Sequence, residues 1–187
     1  MPMTIREMNA KAVAELSGVL DRVDENRVKA LIEALAGANR LVLYGVGREG
    51  LMMRALAMRL FHLGLDAHMV GDMTTPPVGP GDVFIASAGP GYFSTVEALM
   101  NTAREAGAET VCFTAQPEGR IPQMADLALV LPAQTMADDT TGPTSFLPMG
   151  SLYEGAQYLF FEYLILMLGH HLGISAGQMR DRHTNME

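Results

Sequence analysis

The fold is decided by one stretch of the chain, Leu41-Val42-Leu43-Tyr44-Gly45-Val46-Gly47-Arg48-Glu49-Gly50. It begins with an apolar run typical of a buried strand and leads into residues 51–60, whose apolar spacing predicts a helix. A glycine-rich turn between a strand and a helix brings free backbone N–H groups close to a ligand, and the helix dipole there favours anions. Glu49 places a carboxylate in the same turn, where it would repel a phosphate. The stretch therefore predicts a ligand site, but Glu49 argues against phosphate, the usual ligand of such a turn.

Four more apolar runs occur at residues 67–70, 83–87, 110–114 and 127–131. Strands that alternate with helices and are apolar on both faces predict an α/β fold, with a parallel sheet covered on both sides. In such sheets ligands bind beyond the carboxyl ends of the strands. A second glycine turn, Ala88-Gly89-Pro90-Gly91, comes directly after strand three. In a five-stranded sheet of order 2-1-3-4-5, both turns meet at the point where the strand order reverses.

The composition limits the classes of function. The chain has 187 residues, 49% of them hydrophobic, which suits one domain with a substantial core. Its formal net charge is −8 and no basic cluster interleaved with aromatics appears, so no nucleic-acid partner is expected. Residues 1–8 lack the apolar core of a signal peptide and residues 159–168 are too short to span a bilayer, so we expect a cytoplasmic protein without a membrane partner. Cys112 is the only cysteine, and neither a metal site nor a cofactor is expected.

The segments around this centre predict helices and an interface. Residues 1–38 have the spacing of two amphipathic helices, and residues 133–148 are rich in Thr and Pro, as in a mobile flap. Residues 150–172 predict a long helix that is hydrophobic nearly all round, hence buried deeply or shared with another subunit. Self-association is therefore expected. Ser94 is predicted to cap a helix over residues 95–105, with Glu97 completing a capping box.

Six segments, taken in order, resemble a known family. They are Gly45-Val46-Gly47-Arg48-Glu49-Gly50, Ala57-Met58-Arg59-Leu60-Phe61-His62-Leu63-Gly64, Thr74-Thr75-Pro76-Pro77, Gly81-Asp82, Pro148-Met149-Gly150-Ser151-Leu152-Tyr153-Glu154 and Arg182-His183-Thr184-Asn185-Met186-Glu187. The set resembles the SIS (sugar isomerase) domain family, and within it the 6-phospho-3-hexuloisomerases. The resemblance implies a three-layer α-β-α sandwich, a single SIS domain over residues 1–187, and assembly as a dimer or tetramer.

Both glycine turns depart from the family pattern at its phosphate-binding residues. Family members read Gly-Arg-Ser-Gly where this chain has Gly47-Arg48-Glu49-Gly50, and Ser-Gly-Ser-Gly-Glu-Thr where it has Ala88-Gly89-Pro90-Gly91-Tyr92-Phe93. The phosphate-binding hydroxyls of the family correspond here to Glu49, Ala88, Pro90 and Phe93. Pro90 also removes a backbone donor. The resemblance is therefore to a member with a degenerate phosphate-binding site.

The resemblance also assigns two catalytic residues. Isomerisation through an enediol needs a base that moves a proton between carbons and a group that handles protons on the oxygens, and a carboxylate and a histidine meet those needs. By resemblance, Glu154 is the base, and His183 is its companion on a tail, residues 173–187, that reaches a neighbouring subunit at an interface site. Without the resemblance, Glu154 is an acid complementing a helix dipole and His183 belongs to a disordered terminus.

The residues predicted to bind the substrate come from the two turns and from the segment directly after the second: Gly47, Arg48, Glu49, Ser87, Gly89, Tyr92, Phe93 and Ser94. Plainer interpretations stay open for three of them. Glu49 turned outward would pair with Arg48 or Arg54, and Tyr92 and Phe93 would be packing residues.

These residues are consistent with four functions. The favoured hypothesis is an aldose–ketose isomerase acting through an enediol on an unphosphorylated or differently substituted sugar. The first alternative is a 6-phospho-3-hexuloisomerase acting on a hexulose 6-phosphate, with a rearranged phosphate site. A non-catalytic sugar-binding domain is disfavoured by the presence of Glu154 and His183. A dinucleotide-binding protein is suggested by Gly45, Gly47 and Gly50 with Asp72, but the helices before strand one disfavour it.

Overall fold

The computed structural model of the chain describes residues 2–140 and 145–186. The centre of the predicted flap, residues 141–144, lies outside the described residues, as do the two terminal residues, including the last one of the predicted tail. The described elements are, in chain order, α1 (Ile5–Leu20), α2 (Glu25–Gly37), β1 (Leu41–Gly45), α3 (Gly47–Leu63), β2 (Ala67–Met69), β3 (Val83–Ser87), α4 (Ser94–Glu105), β4 (Glu109–Thr114), α5 (Arg120–Met124), β5 (Leu127–Val130), α6 (Ser151–Leu172) and α7 (Ala176–Asp181).

The strands form one parallel sheet in the order β2-β1-β3-β4-β5, which confirms the predicted topology. In the central pair, Leu41 of β1 lies opposite Val83 of β3, and Gly45 lies opposite Ser87. The two strands therefore end side by side. Their glycine turns emerge next to each other, at the switch point of the sheet.

Side chains of the central strands alternate between two hydrophobic cores. In β1, Leu41 and Leu43 belong to the larger core, whereas Val42 belongs to the smaller one. The same alternation recurs in β3 and β4, as the two-residue period of a strand requires. Helices α1, α2, α3 and α6 contribute to the larger core, and α4 and α5 to the smaller. The sheet is therefore covered on both faces, and the predicted three-layer α/β sandwich is confirmed.

The N-terminal segment folds as two capped helices that contact α6. Thr4 and Glu7 form a capping box at the start of α1. The Asp24 carboxylate caps α2 by accepting hydrogen bonds from the backbone N–H groups of Asn26 and Arg27. Such caps satisfy donors that the first turn of a helix leaves open. The segment is thus fixed on the surface of the larger core.

The capping box predicted for α4 is wrong. The helix begins at Ser94 itself, Phe93 takes the N-cap position, and no side chain caps the helix. Glu97 instead accepts a hydrogen bond of 3.1 Å from the Tyr92 hydroxyl and pairs with Arg120. With Phe93 as the N-cap, Glu97 is the fourth residue of the helix, one position beyond the one that a capping box requires.

Helix α6 has two different apolar faces. One face packs into the larger core through Phe160, Phe161, Leu164 and Leu168. The other leaves large apolar side chains in contact with solvent, among them Leu166, which is 72% exposed, and Met167. The helix is therefore buried on one side and unpartnered on the other. No helix in the described part of the chain is long and apolar enough to cross a lipid bilayer.

Candidate active site

The first turn depends on two glycines at which strand and helix touch. A Cβ atom built on Gly50 would lie 2.5 Å from the Gly45 carbonyl oxygen, and one built on Gly45 would lie 2.9 Å from the Gly50 nitrogen. Side chains at these positions would force β1 and α3 apart. The glycine pattern therefore serves close packing of the strand on the first turn of α3. Gly47 starts that helix and faces solvent.

Glu49 points into the protein from this first turn. It is 8% exposed, and its carboxylate crosses to the turn after β3. There Oε2 accepts a hydrogen bond of 2.5 Å from the Ser87 hydroxyl and one of 2.9 Å from the Gly89 backbone N–H. Three predicted binding residues are thus brought together, but they bind one another.

Both arginines considered as partners of Glu49 are engaged elsewhere. Arg48 donates from Nε to Oε2 of Glu154, and Arg54 lies 3.4 Å from an Asp72 carboxylate oxygen. An outward Glu49 paired with either arginine is therefore a wrong interpretation. Glu49 turns inward because two donors at the end of β3 hold its carboxylate inside the protein.

Two side chains from α6 complete a buried polar cluster, defined as Glu49, Ser87, Gly89, Tyr153 and Gln157. Gln157 donates from Nε2 to the Ser87 oxygen at 2.8 Å, and the Tyr153 hydroxyl lies 3.3 Å from the same oxygen. Within the described residues, Gln157 Oε1 accepts no hydrogen bond although it is fully buried. The cluster therefore keeps a spare acceptor.

Sequence reasoning missed Tyr153 and Gln157 as site residues. The signal for them was spacing: they lie four residues apart on α6, so they share one helix face. Gln157 also lies three residues after Glu154 in an otherwise apolar stretch. A polar residue at that spacing in a buried helix indicates a polar partner on the facing sheet.

Burial raises the pKa of the Glu49 carboxyl, because the charged form loses its solvation. The hydrogen bonds from Ser87 and Gly89 oppose the rise by stabilising the carboxylate, and the nearby charge of Glu154 adds to it. Burial likewise raises the pKa of Tyr153 well above its usual range, with the Glu49 charge as a second cause. The site thus contains two carboxylates near each other.

Glu154 lies in the first turn of α6 and faces the same edge of the sheet as Glu49. Its side chain is 13% exposed and pairs with Arg48, whose side chain is 68% exposed. The carboxylate is sheltered, yet its partner is a cation at the surface. A ligand would have to displace the Arg48 guanidinium to contact this carboxylate.

The other predicted binding residues, Tyr92, Phe93 and Ser94, lie at the start of α4. Tyr92 is 46% exposed, and its hydroxyl is engaged by Glu97. Phe93 packs against the smaller core, as the packing interpretation predicted. Ser94 is exposed on the first turn of the helix. These residues border the site, and only Tyr92 and Ser94 present polar atoms to solvent there.

Within one chain, His183 and Glu154 lie near opposite ends of helix α3. The His183 ring stacks on that of His62 with centroids 5.2 Å apart, and neighbouring Arg182 donates to the His62 carbonyl at 3.1 Å. His62 lies in the last turn of α3, whereas Arg48 lies in the first, so about 20 Å of helix separates His183 from the Glu154 carboxylate. One chain alone does not bring the two predicted catalytic residues together.

Two surface cavities lie away from this site. Cavities of about 500 and 660 Å³ are found beside the exposed face of α6, where Lys29 and Ile32 of α2 and Met167 of α6 line both. Among the described residues these cavities contain no buried titratable group, in contrast to the buried polar cluster with Glu49.

Comparison with known proteins identifies the class of this molecule. Residues 34–154 match the SIS domain, which is more than half of the chain. The chain therefore belongs to the SIS domain family, and the resemblance inferred from its sequence is confirmed.

Three similar proteins have related names. A 3-hexulose-6-phosphate isomerase of Mycobacterium gastri is 33% identical over 173 residues, which cover 92% of this chain and 86% of that protein. A 3-hexulose-6-phosphate isomerase of Bacillus subtilis is 31% identical over 185 residues, covering 99% and 100%. A solved structure of a hypothetical Methanococcus jannaschii protein, described as inferring a molecular function of 3-hexulose-6-phosphate isomerase, has a TM-score of 0.84 at 25% identity and covers 97% of this chain and 99% of that one. The family and these relatives support the prediction of an isomerase.

Proposed function

We propose that this chain is an aldose–ketose isomerase that works through an enediol. Its substrate is a sugar that places no phosphate group in the turn after β3. The proposal rests on the position of Glu49. Its carboxylate takes up both donors, the Ser87 hydroxyl and the Gly89 N–H, that an oxyanion would need there. A phosphate would have to displace two hydrogen bonds and approach a like charge.

In the proposed reaction Glu154 acts as the base. Its carboxylate removes a proton from the carbon next to the carbonyl, the electron pair moves toward the carbonyl oxygen, and that oxygen takes up a proton. The former carbonyl carbon of this enediol is then protonated, while the hydroxyl on the other carbon gives up its proton and becomes the new carbonyl. The positions of carbonyl and hydroxyl are thereby exchanged. His183 of a second copy would handle the oxygen protons, because in its own chain it stacks on His62 at the far end of α3.

Steady-state assays of aldoses and ketoses test the assignment of the base. We expect Glu154→Gln to lower kcat by about 100- to 10,000-fold, the usual contribution of a general base. Glu162→Gln is the matched control, since Glu162 lies on the same helix but faces Arg59, 3.6 Å away. Full activity of the Glu154→Gln variant would remove Glu154 from the mechanism.

A second candidate, 3-hexulose-6-phosphate isomerase, is favoured by the names of the relatives from Mycobacterium gastri and Bacillus subtilis. Under this candidate the phosphate binds elsewhere, or Glu49 leaves the turn when substrate arrives. Comparing kcat/KM for a 3-hexulose 6-phosphate and for the corresponding unphosphorylated hexulose separates the two. A clear preference for the phosphorylated sugar would establish the second candidate.

A further inference from the structure

We propose that Glu49 is a built-in anion that sets the class of substrate: it occupies an intact oxyanion pocket, and one substitution at Glu49 reopens that pocket to inorganic phosphate. The inference deepens the proposed function, and only its statement about the sugar rests on that function. Reopening of the pocket is independent of catalysis.

The donors of the pocket are aimed at a single point. The Ser87 hydroxyl and the Gly89 N–H both reach Oε2 of Glu49, at 2.5 and 2.9 Å. A hydroxyl and a backbone N–H that converge on one oxygen are the arrangement that binds an oxyanion. The first turn of α3 contributes the positive end of its dipole to the same place.

These donors are held by groups other than Glu49. The Ser87 oxygen is fixed by Gln157 Nε2 at 2.8 Å. The Gly89 carbonyl accepts a hydrogen bond of 3.0 Å from the Ala115 N–H, which fixes the turn against the end of β4. Removal of the carboxylate therefore leaves the hydroxyl and the N–H in position.

The carboxylate also fills the space in front of the turn. A Cβ atom built on Gly89 would lie 2.8 Å from Glu49 Oε1 and 2.8 Å from a Tyr153 ring carbon. Glu49→Ser empties this volume between the turn and α6. It also changes the local charge from two carboxylates and one guanidinium to one of each, namely Glu154 and Arg48.

In the native chain the second carboxylate oxygen of Glu49 indicates which ligand the site accepts in place of phosphate. Both hydrogen bonds of Glu49 end on Oε2, and Oε1 accepts none from the described residues. Glu49 is 8% exposed, and Oε1 is not among the fully buried oxygens without a partner, so this atom keeps contact with solvent. It accepts a hydrogen bond, so it suits a sugar end that carries hydroxyl donors and rejects one that carries a phosphate.

Isothermal titration calorimetry with inorganic phosphate tests the proposal. We expect only weak phosphate binding to the native protein and binding at least about tenfold tighter to Glu49→Ser, a difference of about 1.4 kcal/mol. The Glu49→Ser/Ser87→Ala double variant should lose that gain. Glu162→Ser removes an acid outside the site and controls for net charge. A folded Glu49→Ser protein that binds phosphate no better than the native one overturns the proposal.

The native protein provides a second test that does not need Glu49→Ser to fold. Phosphate should raise the melting temperature of the native protein and of Ser87→Ala by the same amount, since only its general salt effect acts on an occupied pocket. Extra stabilisation by phosphate that Ser87→Ala abolishes would contradict an occupied pocket. Glu49→Ser should also shift the ratio of kcat/KM toward the phosphorylated hexulose. If the native protein converts no sugar, the proposed function fails, and phosphate binding still decides the role of Glu49.

Discussion

A nearly buried carboxylate links the stability of this molecule to pH. Because burial raises the pKa of Glu49, the folded chain holds that proton more tightly than the unfolded chain does. The resulting contribution to stability is complete below the ordinary pKa of a glutamate. It is lost as the pH rises through the raised pKa of the folded state.

We therefore expect Glu49→Gln to be more stable than the native protein at about pH 8, because the amide keeps the shape of the side chain and loses the buried charge. The advantage should disappear below about pH 4.3, where glutamate is protonated even in the unfolded chain. Urea denaturation at several pH values measures the difference. A difference independent of pH would show that the Glu49 charge does not act on folding.

Ser87 is the centre of the buried polar cluster, so its removal should be costly. Ser87→Ala deletes a donor to Glu49 and an acceptor for Gln157, and leaves buried polar groups without a partner. We expect a loss of about 1–3 kcal/mol of unfolding free energy. Exposed Ser94→Ala is the control and should stay within about 0.5 kcal/mol. Equal effects of the two substitutions would mean that the cluster contributes nothing specific.

At the residue scale the sequence predicted which residues meet, but not how. Glu49, Ser87 and Gly89 were predicted as neighbours because both turns end parallel strands. The orientation of Glu49 was not predictable, since it depends on a backbone N–H and a hydroxyl that only the folded turn places together. The pairing of Arg48 with Glu154 joins residues 106 positions apart, and no local pattern records it.

The glycine turns set the distance between the secondary-structure elements that form the site. Gly89→Ala would place a methyl group against Glu49 and Tyr153. We expect a loss of about 1–3 kcal/mol from overpacking, with lower activity as the turn shifts. Gly18→Ala is the matched control, because nothing lies within 4 Å of its Cβ in α1, and should raise stability by about 0.5–1 kcal/mol. Thermal melts and assays of both variants give the answer. An unchanged Gly89→Ala protein would contradict the tight packing of the turn.

The strands and the long helices were predicted well, whereas two short helices were missed for physical reasons. The five strands and α6 have apolar patterns that burial imposes on every turn or pleat. Helix α5 has only 5 residues and contains Pro122, too few for a periodic signal. Helix α7 begins with a capping box between Ser175 and Gln178, which is a local signal present in the sequence. The helix has only 6 residues, however, and this is too short for an apolar period to support that signal.

At the scale of the whole molecule the exposed face of α6 predicts assembly. Apolar side chains as exposed as Leu166 are usually covered by another surface when they lie side by side. We expect light scattering after size exclusion to give a mass above the 20.2 kDa of one chain. Leu166→Glu should shift the protein toward monomer, whereas Met73→Glu, at a position 94% exposed on a loop, should not. A monomeric native protein would contradict the prediction.

Mixing two inactive variants tests whether a site is shared. If His183 serves a neighbouring chain, oligomers containing both Glu154→Gln and His183→Ala chains regain one complete site in each mixed pair. We expect both pure variants to be inactive and co-expressed mixtures to recover activity. Failure to recover activity in verified mixed oligomers would place the partner of Glu154 elsewhere. The sheet order was predictable from the sequence, but a partner's contribution is invisible to reasoning that considers one chain.

Helix α3 fixes the distance between the candidate site and the point at which the tail packs. Its first turn contains Arg48 and Glu49, and its last turn contains His62, against which the tail is fixed. The helix holds Arg48 and His62 about 20 Å apart. Inserting or deleting one residue within α3 would turn one end about 100° relative to the other. The length of α3 therefore fixes how the candidate site is oriented relative to the point at which the tail packs against His62.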